Sequence, residues 1–247
     1  MNNMMKIVFS LFILSCISCS NEDENISQPI TTGNITGYVN LYDEGVTKID
    51  NSNMTIKVEG ITPAISATTE ANGHFILSNV PYGTHTLVYE KSGFGTFKKF
   101  NIEHPNAGSS TIIAETPSLG QTSTTSITNL TVSSSSNFPV IIGATTNPEG
   151  NQANTRYIRF FFSTDPNVSS DNYESVLETF QVNISPYNLN LSQASLDVLD
   201  FPSGTAIYVK CYGESFWGNN YFDPNLGRDI FPNLNQNSAS AVSFIAP

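Results

Sequence analysis

Cysteine is scarce in this chain: three in 247 residues, at positions 16, 19 and 211. Two of them fall in the apolar N-terminal stretch, so the body of the chain keeps only Cys211. A lone thiol excludes an internal disulfide framework and a cysteine-built zinc site. Histidine is as sparse, with only His74, His85 and His104. No HExxH pair or three-ligand cluster exists among them, so a zinc hydrolase has no visible ligand set. Basic residues number 10 against 21 acidic ones, for a net charge of −11. That balance argues against nucleic acid as a partner and against charge-driven binding to anionic membranes. No serine-centred nucleophile elbow and no phosphate-cradling glycine loop is present. No metal or organic cofactor is expected. No apolar run beyond residue 17 reaches transmembrane length.

What the sequence does contain begins at its N-terminus. Lys6 precedes an apolar run from Ile7 to Ile17, too short to span a bilayer and of signal-peptide length. Ser18 and Cys19 follow, then Ser20, Asn21, Glu22, Asp23 and Glu24. This stretch resembles a bacterial lipoprotein signal, and the acidic run resembles the surface-export signal of Bacteroidetes lipoproteins. The resemblance implies cleavage after residue 18, lipidation of the Cys19 thiol, and anchorage in a bacterial outer membrane facing the cell exterior. A rival site exists, because Ile13, Leu14 and Ser15 before Cys16 also fit a lipoprotein box. Residues 19–32 read as an acidic, disordered tether.

From Gly33 onward, short alternating segments are separated by turn residues, the pattern of β-sandwiches. Ile35, Gly37, Val39 and Leu41 alternate with polar neighbours over one expected strand. Met54, Ile56 and Val58 mark a second, and Ile65 to Thr69 a third. Asn72-Gly73 supplies a tight hairpin turn before His74 to Asn79, with Phe75 and Leu77 inward. Strands are also expected over Thr84 to Glu90, Thr96 to Ile102 and Ser110 to Glu115. His74 should face out, His85 should pack on the face of Leu87 and Tyr89, and His104 should lie in a turn before Pro105. Thr69-Glu70-Ala71-Asn72-Gly73-His74-Phe75, then Asn79-Val80-Pro81-Tyr82-Gly83, then Gly93-Phe94 resemble the carboxypeptidase regulatory-like domain. The resemblance implies a transthyretin-like Greek-key sandwich over 33–115, without peptidase activity. Glu70 and His85 depart from that family's usual Asp and Tyr.

Residues 116–122 carry turn chemistry without alternation and read as a linker. Beyond them, strands are expected at Ile127 to Val132, Phe138 to Thr145, Tyr157 to Phe162, Leu177 to Ile184, Thr205 to Gly213 and Ser240 to Ile245. Cys211 should share a buried face with Ile207 and Val209. The Ser203 to Tyr212 stretch is similar to the fibronectin type III family, which implies a second sandwich over 123–247. The expected fold class is all-β: two tandem β-sandwiches.

Two segments could carry chemistry. Asp165, Asn167, Ser169, Asp171 and Glu174 have calcium-like spacing, but an EF-hand loop would want Gly at Ser170 and Glu at Val176. Asx-turn and helix-cap chemistry explains them equally well. The long stretch from Tyr212 to Asn235 holds the richer set, Glu214, Phe216, Trp217, Tyr221 and Asp223. Aromatic faces beside carboxylates and amides are what sugar recognition uses. The same aromatics could instead cover a sandwich end. Glu214 and Asp223 form a conceivable glycosidase pair whose separation spacing alone does not fix. The function expected is non-catalytic binding or scaffolding at the cell surface, with a glycan or protein ligand. A purely structural spacer is the alternative.

Overall fold

Period-two alternation of apolar and polar side chains runs through most of the chain and produces a structure built almost entirely of strands. The computed structural model describes residues 31–247; Cys16, Cys19, the leader and most of the acidic tether lie outside the described residues. The first strands are β1 (Thr32–Tyr38), β2 (Asn40–Tyr42), β3 (Thr55–Val58), β4 (Ser66–Thr68) and β5 (His74–Pro81). They are followed by β6 (Gly83–Glu90), β7 (Phe97–His104), β8 (Thr111–Ile112) and β9 (Ser118–Gly120). One sheet has the order β5-β1-β8 and another the order β4-β3-β6-β7. Their facing apolar rows form one core: Ile35, Phe75 and Leu77 from the first sheet meet Ile56, Leu87 and Tyr89 from the second. Phe75 and Tyr89 meet edge-on at 6.1 Å between centroids.

Four local expectations are corrected here. The single strand over Ile35 to Leu41 is two, because β1 pairs with β5 while β2 changes partner and runs parallel to β9. The stretch 116–122 is no free linker: β9 lies within it, with Leu119 buried in the first core. Its backbone groups need partners, and the polar edge of β2 supplies them. His85 does not join the row of Leu87 and Tyr89. A bulge between His85 and Leu87 shifts the register, and His85 Nε2 meets the Pro81 carbonyl oxygen at 2.7 Å instead. His74 faces outward as expected, with Nε2 2.9 Å from Thr36 Oγ1. His104 ends β7 as a buried residue rather than standing in a turn, its ring tilted against Tyr82 with centroids 5.0 Å apart.

The remaining elements begin with β10 (Ser126–Ser133), β11 (Val140–Asn147), β12 (Arg156–Ser163), β13 (Ser175–Val176), β14 (Phe180–Val182) and β15 (Tyr187–Leu191). Then come α1 (Gln193–Val198), β16 (Ala206–Glu214), β17 (Tyr221–Asp223), β18 (Arg228–Ile230) and β19 (Val242–Ile245). A β10-β11-β15 sheet faces a sheet in which β12 pairs with β13, β14 and β16, and β16 pairs with β19. The helix is a single capped turn and a half, in which the Ser192 side chain accepts from the Ser195 backbone N–H. No helix among the described residues is long and apolar enough to cross a membrane. Ile158, Phe160 and Phe162 of β12, with Ile207, Val209 and Cys211 of β16, fill the second core. The protein is all-β, with β-sandwich layering.

The β12–β16 sheet is covered on both faces. Its second face carries Phe161 and Tyr212, which pack against Phe231 and Leu234 of the long segment after β16. That segment therefore lies across the sheet as a strap and closes one face of it. The strap also joins the two halves of Thr31–Pro247, which form one compact unit.

Candidate ligand-binding cleft

Strand alternation places the site. On β12, Ile158, Phe160 and Phe162 point into the core, so Tyr157, Arg159 and Phe161 point the other way, under the strap. On β16, Tyr212 and Glu214 share that second face. Arg159 lies directly opposite Tyr212, and Tyr157 opposite Glu214. Arg159 and Glu214 are thus diagonal neighbours on one face, within reach of long side chains.

They form a buried ion pair, Arg159 Nε donating to Glu214 Oε2 at 2.6 Å. Every nitrogen of the guanidinium has a partner. Nη1 donates to the Leu177 carbonyl at 2.8 Å and Nη2 to Thr179 Oγ1 at 2.7 Å. Thr179 Oγ1 donates in turn to Glu214 Oε2 at 2.7 Å. In the amide orientation that satisfies both ends, the Asn220 oxygen accepts from Arg159 Nη2 at 2.9 Å while its nitrogen donates to Glu214 Oε1 at 3.3 Å. The guanidinium also sits 5.0 Å from the Phe231 ring centroid, a cation–π contact. Burial pushes the Glu214 carboxyl above its ordinary value, and Arg159 and Thr179 pull it back.

Above this floor lies a cavity of about 300 Å³, lined in part by Tyr157, Glu178, Gln181, Phe216 and Asn220. A second cavity of about 300 Å³ adjoins it, lined in part by Tyr221, Phe222, Asp229 and Phe231. Arg159, Glu178 and Asn220 border both. Phe216 is 38% exposed and Phe222 57% exposed.

The sequence-predicted residues divide within this setting. Phe216 stands in the cleft, edge-on to Tyr157 at 5.6 Å. Trp217 is half-buried, its ring 5.0 Å from Tyr42 of β2 and 5.2 Å from Phe216. Tyr221 packs against Phe97 and Phe100 of β7, at 5.9 and 6.1 Å. Glu214 is locked to Arg159, whereas Asp223 caps its own turn, accepting from the Asn225 and Leu226 backbone N–H groups at 2.9 and 3.3 Å. The two carboxylates are engaged by separate partners. Asp165 is likewise taken up by its turn, accepting from the Asn167 backbone N–H at 2.8 Å and from Asn172 Nδ2 at 3.1 Å. No metal-holding cluster of three His, Cys, Asp or Glu occurs among the described residues.

The strap is fastened to the first half by two buried asparagines. Asn219 Oδ1 accepts from the Gly120 backbone N–H at 2.8 Å, and its Nδ2 donates to the Gly120 carbonyl at 3.0 Å and to Asn233 Oδ1 at 3.1 Å. Asn233 Oδ1 accepts from the Gly95 N–H at 2.9 Å, and its Nδ2 donates to the Trp217 carbonyl at 2.8 Å. Gly95 and Gly120 admit this approach only because they lack Cβ, which would strike the Pro232 and Trp217 carbonyl oxygens. Ser215 Oγ donates to the Gln121 carbonyl, and the Phe216 N–H to the Glu44 carbonyl at 2.9 Å.

Sequence reasoning did not single out Arg159, Glu178 or Gln181, whereas Asn220 lies inside the candidate aromatic segment. Arg159 did leave a signal. It is the one charge inside Tyr157-Ile158-Arg159-Phe160-Phe161-Phe162, and a cation there must find a buried partner.

No family model matches the chain, and no curated protein matches it. Among solved structures, a "putative carbohydrate binding protein" from Bacteroides uniformis is 14% identical over 87% of this chain and 99% of that chain, with a TM-score of 0.30. A DUF3823 family protein from Parabacteroides merdae is 11% identical over 86% of this chain and 99% of that chain, with a TM-score of 0.28. A cohesin–X-dockerin complex from Acetivibrio cellulolyticus is 20% identical over 35% of this chain, with a TM-score of 0.29. The chain spans 56% of the length of that last match. Similarity at these scores carries no argument about function.

Proposed function

We propose that this is a lipid-anchored surface protein whose second half binds a neutral saccharide in the cleft beside Phe216. The carrying observation is that cleft: an exposed aromatic face next to carboxylate and amide groups, over a rigid buried floor. An aromatic ring stacks on the apolar C–H face of a sugar, and the polar rim takes its hydroxyls. In this reading Phe216 is the platform, because Trp217 and Tyr221 face residues of the first half. The carboxypeptidase regulatory-like and fibronectin type III-like readings of 33–115 and 123–247 belong to the same proposal, as does anchorage through Cys19 at the outer membrane. The test is a glycan array on the chain from Asn21 onward. Phe216→Ala should lower binding of any hit by more than tenfold with the fold intact; an array without hits overturns the reading. Cys19→Ala should release the protein from the membrane fraction.

A spacer role is the second reading, favoured by the asparagine fastening between the halves. It predicts no array hit and no loss of any binding in Phe216→Ala.

A further inference from the structure

Two cavities share Arg159, Glu178 and Asn220 in their walls, and each is lined by one exposed ring, Phe216 in one and Phe222 in the other. Building on the proposed saccharide site, we infer that the two form one groove with two subsites, fitted to a linear, uncharged oligosaccharide.

The chemistry of the groove limits what can lie in it. Arg159 is held in the floor, its charge paired with Glu214 and each of its three nitrogens already donating, to Glu214, Leu177 and Thr179. Thr179 and Asn220 are likewise engaged with the ion pair. Three polar side chains along the groove make no hydrogen bond within the described residues: Glu178, Gln181 and Asp229. Two of these are carboxylates, and Glu178 already acts on the buried Glu214 as a like charge. An anionic ligand would meet uncompensated negative charge. A ligand rich in hydroxyl donors meets acceptors instead. One exposed ring in each cavity, with polar groups shared between them, asks for two apolar faces on one molecule separated by a polar stretch. Successive pyranose rings of a linear chain present this alternation. A single sugar would fill one cavity and leave the other ring in water.

Phe222 lies on β17, the first strand of the hairpin with β18, while Phe216 stands at the strap's entry. The second subsite is therefore carried by a separate element and can be removed without disturbing the first.

The experiment is calorimetric titration of neutral gluco-, xylo- and manno-oligosaccharides of graded length, from disaccharide to hexasaccharide, into the chain from Asn21 onward. Affinity should rise at least tenfold between disaccharide and tetrasaccharide. Phe222→Ala should abolish that rise, and Phe216→Ala should weaken every length. Circular dichroism and melting of both variants establish that they fold; Phe222→Tyr should restore the length dependence. Binding that is independent of length, or unaffected in Phe222→Ala, overturns the two-subsite inference while leaving the single site standing. Tighter binding of oligogalacturonate than of the neutral chains overturns the charge argument. Capture of a lysine-rich peptide with no sugar bound at any length overturns both the groove's assignment and the proposed function.

Discussion

The two halves of the molecule differ in where they keep their ion pairs. The first half pairs its charges at the surface: Lys57 with Glu90, Lys98 with Glu59 and Lys99 with Glu115. The second half has one such surface pair, Arg228 with Asp171, but it also places an arginine and a glutamate under a strap, with side-chain exposures of 6% and 0%. Exposed pairs contribute little, because water screens them and ordering two long side chains costs entropy. A buried pair carries a large desolvation penalty and survives only when its remaining donors and acceptors are satisfied. The strap and Thr179 supply those partners. One half is thus a scaffold that tolerates surface change, and the other holds a polar centre whose geometry depends on a long covering segment.

The sharpest way to break this contrast is at Arg159. Arg159→Met leaves Glu214 buried without a cation and should destabilise the protein by about 3–5 kcal/mol, read by denaturant unfolding. Adding Glu214→Leu should recover most of that loss. A double variant no more stable than the single one would mean the pair itself stabilises the fold.

Next in size is the fastening between the halves. Asn233→Ala removes the acceptor of the Gly95 N–H and the donor to the Trp217 carbonyl. Leaving these buried groups unpaired should cost about 2–3 kcal/mol. It should also open residues 116–122 to a broad-specificity protease, whereas the unaltered protein resists cutting there because β9 is paired with β2. Rapid cleavage of the unaltered protein at that stretch would return it to the status of a linker.

The pH dependence is smaller and has a definite sign. Burial raises the Glu214 carboxyl above its ordinary 4.5 in the folded protein, so the folded state holds this proton more tightly than the unfolded chain. Its contribution is complete below that ordinary value and declines as pH rises through the raised one. Glu214→Gln should flatten this decline in a series of melting curves; an unchanged slope would assign it to other groups.

Smallest is the surface of the first half. Lys57→Ala breaks the pair with Glu90 and should change stability by less than about 1 kcal/mol, an effect further reduced by salt. A loss comparable to that in Arg159→Met would erase the distinction between the halves.

Turn chemistry and alternation made most strands of the first half legible. Asn72-Gly73 does stand at a tight turn, with Gly73 at a φ of 86°, although the strands it joins, β4 and β5, pair in different sheets rather than as a hairpin; Phe75 and Leu77 do point inward. Such patterns are local: a turn residue and a period of two act within a few positions. The second half was legible where the runs were continuous, as at Phe160 and Cys211. It was not legible at β15, α1 or the β17–β18 hairpin, whose short mixed segments are held by neighbours rather than by their own pattern.

By itself the sequence determined the all-β class, the inward residues of most strands and the segment in which the cleft's aromatics lie. Each follows from alternation, turn residues and composition, which act over short stretches. Only the tertiary structure decided which aromatic faces the solvent, that Arg159 is the partner of Glu214, and that Ser118–Gly120 within 116–122 is a paired strand. Arg159 and Glu214 lie 55 positions apart along the chain, and Asn219 meets Gly120 across 99. Contacts at that range depend on sheet register and on where the strap crosses it, and no local pattern encodes either.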